Sequence, residues 1–240
     1  MNTKLIKRYT VLGILFFLPV LFLLMLFPAK HHYSALDIVN ENVADINNFD
    51  SEDNQTIILK DHITVLGFLG KNPMDNAIAA SNLKELVYDK FKGFKKFQIV
   101  LILPHGTEDQ VEILKREIKS YEDLKYWHFV YGEETDILKV FNSLKSRIPL
   151  KEDLSTQDVF IVDKDLNQRG RIDDRTDSEK EKEKAIYPLY SYDCIEVAEI
   201  KNKMSADDLR VLFQEYREKR KGNFDSSTRR ANDLKPTNEQ

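Results

Sequence analysis

Few residues in this chain have the type and spacing to do chemistry. There is one cysteine, Cys194, in the stretch Tyr190 to Val197. A lone thiol cannot close an intramolecular disulfide, supply a redox pair or build a thiolate metal cage. It could act only as an activated nucleophile, and an isolated strand cysteine lacks the helix N-terminus or basic neighbours that lower a thiol pKa. Its expected role is that of a small buried hydrophobe. Of the five histidines, His31 and His32 are adjacent and point apart on a helix, so they form no i, i+4 ligand pair. His62, His105 and His128 are scattered at strand edges without metal-ligand spacing. Asn72-Pro73 reads as a helix start, with Asn a favoured N-cap and Pro a favoured first residue. Arg169-Gly170-Arg171 and the run Arg217, Lys219, Arg220, Lys221 could meet an anionic partner. Interspersed acidic residues favour a solvated face instead. No Gly-rich phosphate loop, Gly-x-Ser-x-Gly elbow or His-Glu-x-x-His pair is present. The expectation is a protein that is not an enzyme and uses no cofactor and no metal. The net charge of -4 gives no sign of a nucleic-acid binder.

The elements that would position these residues begin with an apolar segment. No side chain from Tyr9 to Ala29 is charged, and Leu, Phe, Ile and Val dominate it. A helix of that length is about 30 Å long, the hydrocarbon thickness of a bilayer. Pro19 and Pro28 weaken such a helix without forbidding it. Lys4, Lys7 and Arg8 precede it, so the positive-inside rule places residues 1–8 in the cytoplasm and the body outside it. A signal peptide would have a shorter apolar run and a small-residue cleavage site, whereas Lys30, His31, His32 and Tyr33 follow here. A single-pass anchor over residues 9–29 is expected, with the two histidines at the headgroup level.

Residues 30–55, rich in Asn, Asp and Glu, read as a stalk. The body, residues 56–221, alternates strand and helix signals. Ile63 to Leu69 is a short apolar run stopped by Gly70, and Ala80, Leu83, Leu86, Val87 and Phe91 recur at helical spacing. Ile99 to Leu103, stopped by Pro104, reads as a strand buried on both faces. Thr107 and Gln110 fit a capping box for a helix carrying Val111, Leu114 and Ile118. Strands at Trp127 to Tyr131 and Val159 to Val162 flank a helix marked by Ile137, Leu138, Phe141 and Leu144. A turn at Asp163 to Asn167 leads into an antiparallel neighbour. Tyr190 to Ala198 reads as another strand, and a last helix starts at Ser205. This order predicts an α/β sandwich with a central mixed sheet. The alternating charges of 173–184 read as a solvated loop or exposed helix, and residues 222–240 as a disordered tail.

Two short motifs on this framework resemble the SCO/SenC family, membrane-tethered thioredoxin-fold proteins that deliver copper during cytochrome c oxidase assembly. The first is Phe68-Leu69-Gly70-Lys71-Asn72-Pro73-Met74-Asp75-Asn76, where the family has an apolar strand, a loop and Cys-Pro-x-x-Cys. Pro73 matches; Asn72 and Asn76 stand where the cysteines would be. The second is Val159 to Gly170, similar to the family's strand, Asp-Pro-Asp-Gly turn and Arg-Gly. Asp163, Asp165, Arg169 and Gly170 match, while Lys164 and Leu166 do not. The family's copper-binding histidine falls at Ser155. The resemblance spans roughly residues 56–172 and implies a thioredoxin-like fold with a degenerate site. Copper(I) prefers thiolates, and a neutral carboxamide is neither a soft ligand nor a disulfide former.

The function these readings imply is a non-catalytic, membrane-anchored binding module. By the resemblance its partner would be an oxidase assembly factor or a genuine SCO protein, on the periplasmic side of a bacterial inner membrane. The alternatives are a thiol-dependent redox protein using Cys194, or copper binding through histidines.

Overall fold

The computed structural model describes residues 3–26, 35–52, 55–119 and 124–220. It divides into two units, Met1–Ser34 and Ala35–Gln240. In the first, helix α1 (Thr3–Leu26) has Pro19 inside it, and its side chains from Val11 to Leu24 are mostly exposed. Taken by themselves, the described residues include no helix long and apolar enough to cross a membrane. Residues 27–29 of the expected span lie outside the described residues. His31 and His32 lie outside the described residues, as does the 222–240 tail.

In the second unit an eight-stranded mixed sheet has the order β1-β7-β6-β3-β4-β5-β2, with β8 added to β6. The strands are β1 (Asp37–Asn40), β2 (Asp50–Ser51), β3 (Ile63–Phe68), β4 (Phe97–Pro104), β5 (Trp127–Gly132), β6 (Asp158–Val162), β7 (Gln168–Gly170) and β8 (Tyr192–Asp193). Central β3, β4 and β5 run parallel, and every other pairing is antiparallel. β3 and β4 are buried along their whole length, as their continuous apolar sequences require. Successive side chains alternate between two cores. Val65, Ile99 and Leu101 pack under the helices that follow β3 and β4 and under the last helix. Leu66, Phe68, Val100 and Ile102 pack on the opposite face with Ile137 and Phe141.

The helical layers come from a 3-10 turn (Pro73–Asn76), α2 (Ala77–Leu83), a π-helical turn (Lys84–Tyr88) and α3 (Asp89–Phe91). They are completed by α4 (Glu108–Ile118), α5 (Glu134–Asn142), the short α6 (Asp177–Glu181), a π-helical segment (Glu199–Asp208) and α7 (Leu209–Arg220).

Four expectations are corrected. The stretch from residue 35 onward is not a stalk: β1 and β2 are edge strands of the sheet, and Val39, Val43, Ile46, Phe49 and Leu59 are buried. The polar residues that suggested a stalk occupy the outward positions between those apolar ones. Asp45 is an exception that turns inward, accepting hydrogen bonds from the Ile46 and Leu59 amides at 2.8 and 2.7 Å. Tyr190 to Ala198 yields only the two-residue β8, because the chain turns at Cys194 into the final helical layer. That layer starts at Glu199, six residues before Ser205. Thr107 stands at the N-cap of α4, but its hydroxyl donates to the Pro104 carbonyl at 2.9 Å, so no capping box forms with Gln110.

Candidate functional site

The loop after β3 is built around Gly70, whose φ of +71° is left-handed backbone. A Cβ there would lie 2.5 Å from the Asp153 carbonyl oxygen and 2.7 Å from the Ser155 Cβ. The bare α-carbon lets segment 153–156 close onto the end of the strand. Leu69 bridges Ser155, the Thr156 amide donates to the Phe68 carbonyl at 3.0 Å, and the Lys71 amide donates to the Asp153 carbonyl at 2.8 Å.

Two of the three candidate site residues named from the sequence, Asn76 and Ser155, meet at Leu69. The buried Asn76 donates from Nδ2 to the Leu69 carbonyl at 3.0 Å. Ser155, 1% exposed, is held beside Leu69 by that bridge, and its hydroxyl donates to Asp153 Oδ1 at 2.7 Å. Asn72 lies one turn before Asn76 and is exposed. It makes no side-chain cap; only its carbonyl closes the 3-10 turn, accepting from the Asp75 amide at 3.1 Å. The N-cap role expected of its side chain is therefore corrected, whereas Pro73 does stand at the first helical position and is buried. At this end of β3 the polar groups of Asn76 and Ser155 are spent on the loop itself.

The second motif is a buried ionic knot. Asp163 Oδ1 accepts from the Asp165 and Asn167 amides, both at 2.9 Å, which makes an Asx-type turn. Leu166 adopts φ +60° and packs its side chain against the core. Arg169 donates from Nη1 to Asp163 Oδ2 at 2.9 Å, and from Nη2 to the Leu36 carbonyl at 2.8 Å and to Glu215. Burial disfavours its charge, but Glu215 and Asp163 outweigh that and hold its pKa above the ordinary value. Asp165 accepts from the Tyr216 hydroxyl at 3.2 Å. A Cβ on Gly170 would come within 2.5 Å of the Leu189 carbonyl. These four residues join the hairpin to β1 and α7, so their work is structural.

A second ionic cluster escaped the sequence reading. Arg171 donates from Nε to Asp208 at 2.9 Å and from Nη1 to Asp174 at 3.1 Å. Tyr192 donates to the other Asp208 oxygen at 2.6 Å. Burial raises the Asp208 pKa against the pull of Arg171 and Tyr192, and burial together with Asp208 pushes the Tyr192 hydroxyl well up. Only the Arg-Gly-Arg spacing hinted at it. One arginine serves each cluster.

Cys194 is 1% exposed. Burial, reinforced by Asp193, Asp158 and Glu199, pushes its thiol pKa well above the ordinary value. A neutral buried thiol is neither a nucleophile nor a metal ligand at physiological pH. The described histidines are not brought together. His62 Nδ1 lies 3.0 Å from the Lys60 carbonyl, His105 stands at 3.9 Å from Asp50 and 4.0 Å from Glu108, and His128 is on β5.

Comparison with known proteins returns no matching family model and no matching curated protein. Solved structures do match. A SCO1/SenC family lipoprotein from Bacillus anthracis is 17% identical with a TM-score of 0.43, covering 57% of this chain and 86% of its own. Arabidopsis thaliana ScoI with copper bound is 15% identical with a TM-score of 0.40, covering 71% and 98%. A putative protein disulfide isomerase from Bacteroides thetaiotaomicron is 12% identical with a TM-score of 0.40, covering 56% and 80%. The fold is thioredoxin-like. Its assignment rests on the strand order, with two antiparallel strands closing a parallel β-α-β core and helices on both faces.

Proposed function

We propose that this chain is a non-catalytic, membrane-anchored thioredoxin-like module of SCO/SenC type, which works by binding another protein. The observation that carries the reading is at Leu69. Around it, Asn76 and Ser155 stand at two positions where that family holds copper, and both use their polar groups to fasten the loop. Asn72 brings only a neutral amide to the third. Oxygen and amide donors of this kind do not replace two thiolates and an imidazole for copper(I), and the only thiol is sealed in the core.

The anchor is the uncharged stretch from Tyr9 to Ala29, placing the N-terminus in the cytoplasm and the body on the periplasmic side of a bacterial inner membrane. The partner is an oxidase assembly component or a copper-loaded SCO protein, met through the thioredoxin-like body. Affinity purification of the full chain in detergent tests this. A terminal-oxidase subunit or copper chaperone retained by wild type supports the reading, and their absence from the bound fraction removes it.

A further inference from the structure

The pole opposite the Leu69 loop carries a groove of about 500 Å³ between the Gly93-Phe94 turn, Lys164 and the outer face of α7. Its floor is aromatic. Phe94 and Phe213 stack at 4.5 Å, and Phe213 stacks on Phe91 at 5.2 Å. Six cations line it, Lys95, Lys96, Lys164, Arg210, Arg217 and Arg220, and no carboxylate does, in a chain whose net charge is -4. None of the six forms an ion pair with a carboxylate among the described residues; Lys164 sits instead over the Tyr216 ring at 4.9 Å. Burial, then Arg220 and Lys96, lower the Lys164 pKa, while Asp61 and Asp165 act on it from outside the lining. At the basic end of α7, Arg217 and Arg220 line this groove, whereas Lys219 is balanced by Glu215 at 2.9 Å.

Two features decide what fits this groove. The polar groups around it are long, flexible cations, Gln214 and the Tyr216 hydroxyl, which is spent on Asp165, whereas small-molecule sites present a few fixed, converging polar groups. Phe94 is 49% exposed at the tip of its turn, with Lys95 and Lys96 beside it. A half-exposed aromatic wedge flanked by snorkelling cations suits the headgroup layer of an anionic bilayer.

We propose that this aromatic-floored basic groove docks the body onto the surface of an anionic phospholipid bilayer, with Phe94 entering the interface. The docking rests on the anchored reading, because a tethered body meets the bilayer at high effective concentration.

The test uses the full chain carrying Phe94→Trp, reconstituted in nanodiscs of phosphatidylcholine alone or with phosphatidylglycerol, with bromine-labelled acyl chains as quencher. Wild type supplies the baseline, since its one tryptophan, Trp127, is buried. The expected result is a blue shift and bromine quenching of the new tryptophan only in the phosphatidylglycerol discs, fading as salt is raised. Replacing Lys95, Lys96, Arg217 and Arg220 by Gln should lower the docked-to-undocked ratio by about 600-fold, at roughly fivefold per charge. Absence of quenching, or equal quenching in both discs, overturns the proposal. So does a spectral response to inorganic phosphate or glycerol phosphate without one to the discs, which would make the groove a small-anion site. Failure of the chain to co-elute with the discs instead counts against the anchor. Docking is then read from flotation with brominated vesicles, where the same outcomes decide it.

Discussion

Replacing Gly70 by alanine strikes the contact that assembles the Leu69 loop, and the structure sets its cost. Two effects add. The residue keeps a φ of +71°, which costs an L-residue about 1–2 kcal/mol. Its new Cβ would sit 2.5 Å from the Asp153 carbonyl oxygen and 2.8 Å from the Ser155 amide nitrogen. Both are backbone atoms, so the strand and loop must separate, an overpacking cost of about 1–3 kcal/mol. The sum is about 2–5 kcal/mol. Gly106 gives the control, with a φ of +88° and nothing within 4 Å of a built Cβ, so Gly106→Ala carries only the backbone part. Gly93, with open space and no left-handed φ, should tolerate alanine at no such cost. Denaturant unfolding of the three variants, read at constant m-value, ranks them. The account predicts Gly70→Ala at least about 1 kcal/mol below Gly106→Ala. Equal losses would show that segment 153–156 is not pressed against Gly70, and the described loop geometry would be wrong.

Other outcomes follow from the same structure. Arg169→Met takes the buried guanidinium from Asp163 and leaves Glu215 with Lys219 alone, and loss of a buried ion-pair partner costs about 3–5 kcal/mol. A loss under about 1 kcal/mol on thermal unfolding would mean that Arg169 is solvated rather than enclosed. Cys194 should resist alkylation in the folded chain at neutral pH and react fully in denaturant, and mass spectrometry showing rapid native labelling would reverse the burial argument. Arg175 holds the Asp173 pKa down to about 2, and the Thr176 amide leads the groups that hold Glu179 at about 2. Both carboxylates are depressed from ordinary values of 3.8 and 4.5, so their contribution is complete above those values and is lost as pH falls toward about 2. The protection factor of the Thr176 amide, taken against the intrinsic exchange rate at each pH, should therefore fall selectively across that window. Unchanged protection down to the lower limit would contradict it.

The central strands were legible because β3 and β4 are buried on both faces, and uninterrupted apolar runs admit few other placements. The edge strands were not. β1 and β2 are four and two residues long, and only Val39 of the two strands is buried, so Asn, Asp and Glu masked it together with the neighbouring inward Val43 and Phe49. At the loop, Asn72-Pro73 correctly marked a helical start, but the side chain was credited with a bond that only the backbone makes. The function of Arg169 could not be read locally. Besides the nearby Asp163, its partners Leu36 and Glu215 lie 133 and 46 positions away. The same holds for the basic groove, where a turn at 93–96 meets α7 across the fold.

Copper(I) competition titration of the full chain, beside an Asn72→Cys/Asn76→Cys variant, tests most directly whether this site has lost its soft ligands. Wild type should bind no copper(I) at micromolar affinity or tighter, and the variant, with two thiolates a helical turn apart, should acquire it. Tight binding by wild type would contradict the account, as would a dicysteine variant that gains none.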